Sequence, residues 1–286
     1  MTSRTVAFLG CGRITRAVAQ GLVAVDGRPW RLRGVSRHGR SARDLAADTG
    51  LVAAGNIAEA VAGAGLVVVA VHPHEAAEVL AETRPHLTDG QILVSLVASW
   101  PVAVVAEAVR HAVPVLRAVP NVAVAARVGA TVLSAAPAVE AAELTPVQEL
   151  FADLGPVFVV DDHHLETVSA LSGAGPALLA RFAQSLAEGA AALGLPPGLA
   201  DHLARHAVRG TGALLDGAGT TFAGTISSVS SPGGMTEQAL DTLDHHGLPA
   251  ATTAALDAAV RLSLRRMPAT GTARVAGAEG GAARLP

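Results

Sequence analysis

An alternation of short apolar runs with amphipathic segments through the first 160 residues constrains the fold most strongly. This alternation is typical of βαβ units, in which helices cover both faces of a mostly parallel sheet. The runs that predict strands are Thr5–Leu9, Arg31–Ser36, Leu66–Val71, Ile92–Leu96, Pro114–Ala118, Ala130–Ser134 and Val157–Val160. The segments that predict helices are Ile14–Val25, Ser41–Thr49, Ile57–Ala62, Glu75–Thr83, Val102–His111 and Val139–Leu154. We therefore expect an α/β domain over residues 1–160.

The pattern changes after Asp161 and Asp162, which are expected to cap the next helix. Helical periodicity punctuated by Pro and Gly predicts an all-α domain over residues 161–267, followed by a flexible Gly/Ala-rich tail at 268–286. The predicted helices are His163–Leu171, Ala177–Leu193, Leu199–Leu215, Phe222–Val229, Met235–His246 and Ala250–Arg266. Several of them carry Ala and Leu on more than one face, which favours burial against a partner subunit.

The composition excludes several classes of chemistry. All 21 basic residues are Arg, and the chain has neither Lys nor Tyr. A Walker A loop, a Schiff base on a protein amine and a Tyr/Lys proton relay are therefore impossible, and catalysis must use His, Ser, Thr, carboxylates or backbone groups. The net charge of −3 is spread along the chain without a basic stripe, so no nucleic-acid partner is expected.

Cysteine usage and hydropathy bear on the compartment. The single Cys11 excludes an internal disulfide and fits a reducing environment. The N-terminus lacks the apolar run of a signal peptide, and no stretch reaches the ~18 apolar residues of a membrane span. We expect a cytoplasmic protein without a membrane partner. His202 and His206 have a metal-ligand spacing but no third ligand, so no metal site is predicted.

A dinucleotide-binding loop is predicted where the first strand meets the first helix, in the segment Phe8–Ala17. Gly10 permits a tight turn, and Gly12 lets the backbone approach a pyrophosphate. Arg13 and Ile14 open the helix, whose N-terminus offers N–H groups and a positive dipole. The third position of the motif is Ala17, one residue late, and a plain βα turn is the alternative interpretation. With the strand pattern, the loop predicts a Rossmann-like domain.

The residues after the second strand bear on the choice of coenzyme. An NAD enzyme places Asp or Glu there against the ribose 2′-hydroxyl, whereas this chain has Ser36 and Arg37, followed by Arg40 and Arg43. Guanidinium groups bind phosphate through paired hydrogen bonds, so NADP(H) is the predicted cofactor. The alternative is that these arginines form a solvated helix start.

Further cofactor-binding positions follow from the sheet pattern. Ligands bind at the carboxyl ends of strands in open α/β sheets. Val71, His72 and Pro73 lie at one such end, and Asn56 is expected to reach the adenosine side. A capping or surface role is the alternative for His72.

A second candidate ligand site precedes a predicted helix near the C-terminus. Pro and two glycines ahead of a helix expose consecutive N–H groups, which suit a carboxylate. The candidate substrate-binding residues here are Ser231, Gly233, Gly234 and Met235. Ala174 and Gly175, beside Pro176, are expected either to let the backbone close on a ligand or only to start a long helix.

Five segments occur in an order and spacing that resemble the pyrroline-5-carboxylate reductases. They are Phe8–Ala17, Ala70–His74, Arg117–Asn121, Leu171–Ala177 and Ser230–Thr236. The resemblance runs from about Thr5 to Arg266 and implies NAD(P)H-dependent reduction of a cyclic imine acid to proline. It also implies that Asn121 lies at the cofactor, that Thr236 is the catalytic hydroxyl on the ring nitrogen, and that the helical domain forms a homodimer or larger homo-oligomer. From the residues alone, a helix cap or first-turn residue is the favoured interpretation of Thr236.

The chain departs from the family pattern at a few positions. His72 stands where Lys is usual, Val122 where a polar residue follows Asn121, and Ala174 where Ser is usual. These changes leave open a reductase of a different cyclic imine with the same architecture. A non-catalytic dinucleotide-binding regulator is a further alternative, against which the intact Ser-Pro-Gly-Gly-x-Thr segment counts.

Overall fold

Eight strands form one sheet in the computed structural model of the chain, which describes residues 4–27 and 30–268. The strands are β1 (Thr5–Leu9), β2 (Arg31–Val35), β3 (Val52–Ala53), β4 (Leu66–Val69), β5 (Ile92–Ser95), β6 (Val115–Pro120), β7 (Thr131–Ala135) and β8 (Val157–Val159). Their order is β3-β2-β1-β4-β5-β6-β7-β8, and every neighbouring pair is parallel except β6 and β7. The strand order reverses between β1 and β4, which is where open α/β sheets bind ligands.

Helices cover both faces of this sheet. They are α1 (Arg13–Val23), α2 (Arg40–Thr49), α3 (Ile57–Val61), α4 (Ala76–Thr83), α5 (Val102–Ala108) and α6 (Ala141–Ala152). One core lies between the sheet and α1, α2 and α6, and the other lies between the sheet and α3, α4 and α5. Strand β1 serves both cores, because Val6 and Phe8 face the first while Ala7 and Leu9 face the second. The predicted α/β architecture is confirmed.

The rest of the chain is helical. It comprises α7 (Leu165–Val168), a π-helical turn (Ser169–Gly173), α8 (Gly175–Ala192), α9 (Pro197–Leu215), α10 (Phe222–Val229), α11 (Met235–His245) and α12 (Leu248–Arg265). Of residues 174–258, all of which the structure describes, only Ala200 and Ala204 are buried. No helix in the described part of the chain is long and apolar enough to cross a membrane.

Contacts divide the chain into two compact units. Of the described residues, one unit contains 4–27, 30–173 and 259–268, and the other is Ala174–Ala258. The predicted boundary at residue 160 precedes this division, and α12 contributes to both units. The predicted tail, 268–286, lies outside the described residues except for Pro268.

A buried ionic network anchors the end of α12 within the sheet unit. The guanidinium of Arg117, on β6 and 2% exposed, donates to Asp162 Oδ1 at 3.1 Å and to Glu166 Oε1 at 2.7 Å. The hydroxyl of Ser263, on α12, donates to Glu166 Oε2 and lies 2.7 Å from Ser99 Oγ. Two carboxylates thus pair with one buried cation, and two hydroxyls extend the network from Glu166.

The network corrects the expectation that Asp161 and Asp162 cap a helix through their side chains. Asp161 precedes a 3₁₀ turn, but its side chain makes no capping hydrogen bond. Asp162 instead accepts the N–H of Val102 at 3.0 Å and the Arg117 guanidinium. Asp162 thus holds the first N–H of α5 and the Arg117 guanidinium together, through charge-assisted hydrogen bonds to both.

We predict that Arg117→Met lowers the free energy of unfolding by about 3–5 kcal/mol, because it leaves the buried carboxylate of Glu166 and the partly buried one of Asp162 without their cation. Urea denaturation at a fixed protein concentration measures the loss. Arg16→Met is the control, since Arg16 pairs with Asp48 while their side chains stay 36% and 50% exposed, and exposed pairs contribute at most about 1 kcal/mol. Equal losses in the two variants would contradict the role given to the network.

Candidate functional site

A cavity of about 770 Å³ opens where the strand order reverses, at the carboxyl ends of β1 and β4. Its walls come from the β1–α1 loop, the ends of β2 and β4, the start of α3 and one side of α4. The residues that line it are Leu9, Gly10, Cys11, Gly12, Arg13, Ile14, Val35, Ser36, Arg37, Ser41, Gly55, Asn56, Ile57, Ala70, Val71, His72, Glu75, Glu78, Val79, Glu82 and Leu96.

The glycine loop has two glycines with different roles. Gly10 has a φ of +104°, and a Cβ there would lie 2.4 Å from the Ala70 carbonyl oxygen, so only glycine allows β1 and β4 to end this close together. A Cβ on Gly12 would meet no atom within 4 Å, because it would point into open space. The loop therefore leaves room for a ligand to approach the backbone at Gly12.

Helix α1 begins at this opening. Gly12 is its N-cap residue and makes no side-chain cap, and no acidic residue lies in the first turn. The Thr15 hydroxyl donates to the Gly10 carbonyl oxygen at 2.7 Å and holds the loop against the helix. The first N–H groups of a helix have no intrahelical acceptor, so this end, with Arg13 and Ile14, suits the pyrophosphate of a dinucleotide.

The segment after β2 and the first turn of α2 supply polar groups to the same cavity. Ser36, Arg37 and Ser41 all line it. Ser36 also shapes the turn, since its carbonyl accepts the Gly39 N–H at 2.8 Å and its hydroxyl accepts the Ala42 N–H at 3.1 Å. Two hydroxyls and a guanidinium are groups that bind a phosphate.

The two other arginines of this segment do not line the cavity. The Arg40 side chain is 87% exposed, with Nε 4.0 Å from the Asp44 carboxylate. The Arg43 guanidinium lies over Gly39, where a Cβ would come within 2.7 Å of it. Of the predicted arginine cluster, the structure therefore brings only Arg37 to the cavity.

Three acidic residues of the α4 segment form the opposite wall, and sequence reasoning missed them. Glu75, Glu78 and Glu82 all line the cavity. The Arg37 guanidinium lies 2.9 Å from Glu78 Oε2 and 3.5 Å from Glu75 Oε1. Their spacing of i, i+3 and i+7 places them on one face of a helix, a pattern visible in the sequence.

The segment after β4 joins this wall. Val71 and His72 line the cavity, whereas Pro73 does not. The backbone N–H of His72 donates to Glu75 Oε2 at 3.2 Å, and its ring stacks on His74 with the centroids 5.7 Å apart. His72 is therefore a cavity residue, at a position where the resemblance implies Lys.

The two asparagines predicted at the cofactor have different surroundings. Asn56 lines the cavity and caps α3, because its Oδ1 accepts the Glu59 N–H at 2.8 Å. Asn121 does not line the cavity: its Oδ1 accepts the Ala123 N–H at 3.1 Å, and its Nδ2 donates to Ser172 Oγ at 3.4 Å. No three His, Cys, Asp or Glu side chains in the described residues are grouped as metal ligands.

Cys11 lies in the wall of the cavity between the two glycines. Its thiol is buried and donates weakly to the Val35 carbonyl oxygen at 3.6 Å. Burial raises the pKa of the Cys11 thiol from 9.0 to about 11, because the thiolate would lose its hydration. The thiol therefore stays protonated near neutral pH and contributes no nucleophile.

The predicted substrate-binding turn lies in the helical unit, at the start of α11. Gly233 has a φ of +70°, and the Gly234 N–H donates to the Ser231 carbonyl oxygen at 2.9 Å. A Cβ on Gly234 would lie 2.9 Å from the Ser231 carbonyl oxygen, so any larger residue would crowd the turn. Met235 and Thr236 form the first turn of the helix, and Met235 is 92% exposed.

One of the N–H groups at this turn already has a carboxylate partner. The Gly233 N–H donates to Glu237 Oε2 at 2.6 Å. The N–H groups of Met235 and Thr236 belong to the first turn of α11, where no intrahelical acceptor exists. The turn thus combines N–H groups that suit an incoming carboxylate with the nearby Thr236 hydroxyl.

Ala174 and Gly175 lie where the π-helical turn meets α8. Ala174 is the N-cap residue of α8, Gly175 is its first residue, and Pro176 occupies the first turn. The chain stays helical through the segment, and π-helical turns are frequent at functional sites.

Comparisons with known proteins cover both units. Residues 162–265 match the family model described as pyrroline-5-carboxylate reductase dimerisation, and residues 5–99 match one described as NADP oxidoreductase, coenzyme F420-dependent. A pyrroline-5-carboxylate reductase 3 of Macaca fascicularis is 33% identical over 258 residues, covering 90% of this chain and 94% of the relative. A pyrroline-5-carboxylate reductase of Corynebacterium melassecola is 28% identical over 247 residues, covering 85% of this chain and 92% of the relative.

A solved structure agrees with these sequence relatives. The pyrroline-5-carboxylate reductase of Coxiella burnetii has a TM-score of 0.85 at 27% identity, and the match covers 94% of this chain and all of that one. The similarity therefore extends through the sheet and the helical region alike.

We predict that iodoacetamide labels native Cys11 with a pH midpoint near 11 rather than near 9.0. Only the thiolate reacts, and burial disfavours it in the folded protein. Mass spectrometry after timed quenching measures the rate, and the product is unambiguous because the chain has one Cys. Protein unfolded in urea is the control and should titrate near 9.0; the same midpoint in the native protein would contradict the burial effect.

Proposed function

Since the chain belongs to the pyrroline-5-carboxylate reductase family, we propose that it reduces the cyclic imine 1-pyrroline-5-carboxylate to proline, with NADP(H) as coenzyme. The observation that carries the proposal is the similarity over nine-tenths of the chain, together with family matches over residues 5–99 and 162–265 that include the glycine loop and the Ser231–Thr236 turn. A protein that only bound a dinucleotide would not need a second site built for a carboxylate.

The residues of the cavity support a nicotinamide dinucleotide with a 2′-phosphate. The open space at Gly12 and the N-terminus of α1 would hold the pyrophosphate. Ser36, Arg37 and Ser41 would hold the 2′-phosphate through two hydroxyls and a guanidinium. When bound, the coenzyme supplies the hydride that is transferred to the imine carbon.

The turn at the start of α11 supports a role in orienting the substrate. The N–H groups of Met235 and Thr236 would hold the substrate carboxylate, in the manner of an anion at a helix N-terminus. The Thr236 hydroxyl would hydrogen-bond the ring nitrogen and relay its proton. Ser231, Gly233 and Gly234 shape the turn, and Ala174 and Gly175 would approach the substrate from the start of α8.

The lack of Lys and Tyr is compatible with this reaction. A cyclic imine is basic enough to arrive as an iminium, which accepts a hydride without a strong acid beside it. The protein then has to fix the geometry of the substrate more than to protonate it.

We also propose that the chain forms a homodimer through its helical region, within the cytoplasm. The match to a dimerisation model covers 162–265, where two alanines are the only buried residues between 174 and 258. Leu179, Phe182 and Leu186 lie at i, i+3 and i+7 on one face of α8 and are 62%, 39% and 46% exposed. Such a face suits a symmetric partner.

We predict that the purified protein oxidises NADPH in the presence of 1-pyrroline-5-carboxylate, and that Thr236→Ala lowers kcat by about a hundredfold. The Kd for NADP⁺ should stay within about twofold, since the hydroxyl acts on the substrate. Steady-state absorbance at 340 nm and calorimetric titration measure the two effects. Thr236→Ser is the control, because it keeps the hydroxyl and should retain most of the activity.

Two outcomes of this assay would contradict the proposal. Turnover of a six-membered cyclic imine acid, without turnover of the five-membered one, would assign a different substrate. NADPH binding without turnover of either imine would indicate a binding protein. An unchanged kcat in Thr236→Ala would remove this residue from the mechanism while leaving the reaction in place.

We predict that Leu179→Glu weakens self-association by at least about a hundredfold, since it would bury an unpaired carboxylate between subunits. Analytical ultracentrifugation over a range of protein concentrations measures the dissociation constant. Val52→Glu is the matched control: Val52 is 59% exposed but lies on the edge strand β3, outside the dimerisation segment. Equal effects, or none from Leu179→Glu, would place the interface elsewhere.

A further inference from the structure

Arg37 joins opposite walls of the coenzyme cavity. Its guanidinium leaves the end of β2 and meets two carboxylates of the α4 segment, Glu78 at 2.9 Å and Glu75 at 3.5 Å. All three residues line the cavity. The same guanidinium is the group that we assign to the 2′-phosphate of NADP(H), so the phosphate and the two carboxylates compete for its N–H groups.

The charges make this competition unequal for the two nicotinamide coenzymes. One cation and two carboxylates give the cluster a negative sum, and a phosphate monoester brings about −1.5 to −2 more. NAD(H) has a hydroxyl at this position, which donates a hydrogen bond to a carboxylate at no such cost. The segment after β2 contains no acidic residue, but Glu78 of α4 lies beside it.

We propose that Glu78 is a specificity-determining residue: by pairing with Arg37, it weakens binding of the 2′-phosphate and lets the cavity accept NADH as well as NADPH. This inference rests on the proposed function only in taking the cavity as the coenzyme site. Glu78 thereby sets how strongly Arg37 discriminates between the two coenzymes.

The neighbouring carboxylates differ from Glu78 in ways that isolate its role. Glu75 is 21% exposed and also accepts the His72 N–H at 3.2 Å, so its loss would disturb the loop after β4. The Glu78 side chain is 73% exposed, and Arg37 is its ion-pair partner. Glu82 lines the same wall one turn later, and it forms no ion pair within the described part of the chain.

Calorimetric titration of the full-length protein with NADP⁺ and with NAD⁺ tests the proposal without requiring turnover. Glu78→Gln should lower the Kd for NADP⁺ about threefold to tenfold, because it removes a competing charge beside Arg37. It should not lower the Kd for NAD⁺. Glu82→Gln removes the same charge from the same wall without touching the Arg37 pair, and it should shift the Kd for NADP⁺ by less than about twofold.

A double-mutant cycle shows whether the effect passes through Arg37. In an Arg37→Gln background, Glu78→Gln should change the Kd for NADP⁺ by less than about twofold. The gain in affinity for NADP⁺ of the Glu78→Gln variant should also shrink between 50 mM and 500 mM salt, because salt screens the interactions between exposed charges.

Three results would overturn the proposal. The first is an unchanged ratio of the NADP⁺ and NAD⁺ dissociation constants in Glu78→Gln. The second is an equal gain in affinity for NADP⁺ from Glu78→Gln and from Glu82→Gln. The third is a gain in affinity for NADP⁺ that persists in the Arg37→Gln background. Each leaves the proposed reduction of the imine intact, since that reaction is measured separately by turnover. Conversely, a protein that reduces no imine but shows the expected change in Kd would contradict the proposed function and support the role of Glu78.

Discussion

The close approach of Gly10 to the carbonyl of Ala70 is the contact on which the coenzyme cavity depends. A Cβ on residue 10 would lie 2.4 Å from that oxygen, so any other residue would force β1 and β4 apart. These strands are the pair at which the strand order reverses, and their carboxyl ends form the floor of the cavity. The same loop also orients the start of α1, because the Thr15 hydroxyl donates a hydrogen bond to the Gly10 carbonyl oxygen. The backbone of one glycine thus sets the geometry to which the polar side chains are added.

Much of the fold follows from hydrophobic periodicity, and the differences have identifiable causes. Strand β1 and helix α10 coincide with their predicted ranges, because clear apolar boundaries define them. The sequence does not predict strand β3, because its two residues are too few to show an alternation of apolar and polar side chains. Periodicity also cannot give strand direction, so the antiparallel pairing of β7 with β6 emerged only from the structure. The Arg117 network was missed for a related reason: it joins residues 45, 49 and 97 positions apart, and their burial depends on tertiary packing.

In the candidate site, too, the residues that are close together in the chain could be predicted, whereas contacts between distant residues could not. Gly10, Gly12, Ser36 and Arg37 follow a pattern in which strand, turn and helix are consecutive, and the structure brings them to one cavity. The placement of Asn121 at the cofactor rests on resemblance and stays a prediction; in the structure its side chain closes a turn and reaches Ser172. Glu78 went unnoticed because its helical spacing with Glu75 and Glu82 has meaning only once Arg37 is known to face that helix, 41 positions earlier in the chain.

The carboxylate of Glu75 links the loop after β4 to the end of β2. It accepts the N–H of His72, and it lies 3.5 Å from Arg37. The loop after β4 and the guanidinium assigned to the coenzyme phosphate therefore share one acidic partner. With no Lys or Tyr in the chain and a Cys11 thiol held protonated by burial, this arrangement offers orientation and charge rather than a strong acid or nucleophile. Reduction of a substrate that arrives already protonated requires no more than that, whereas reduction of a ketone requires a proton donor at the oxygen.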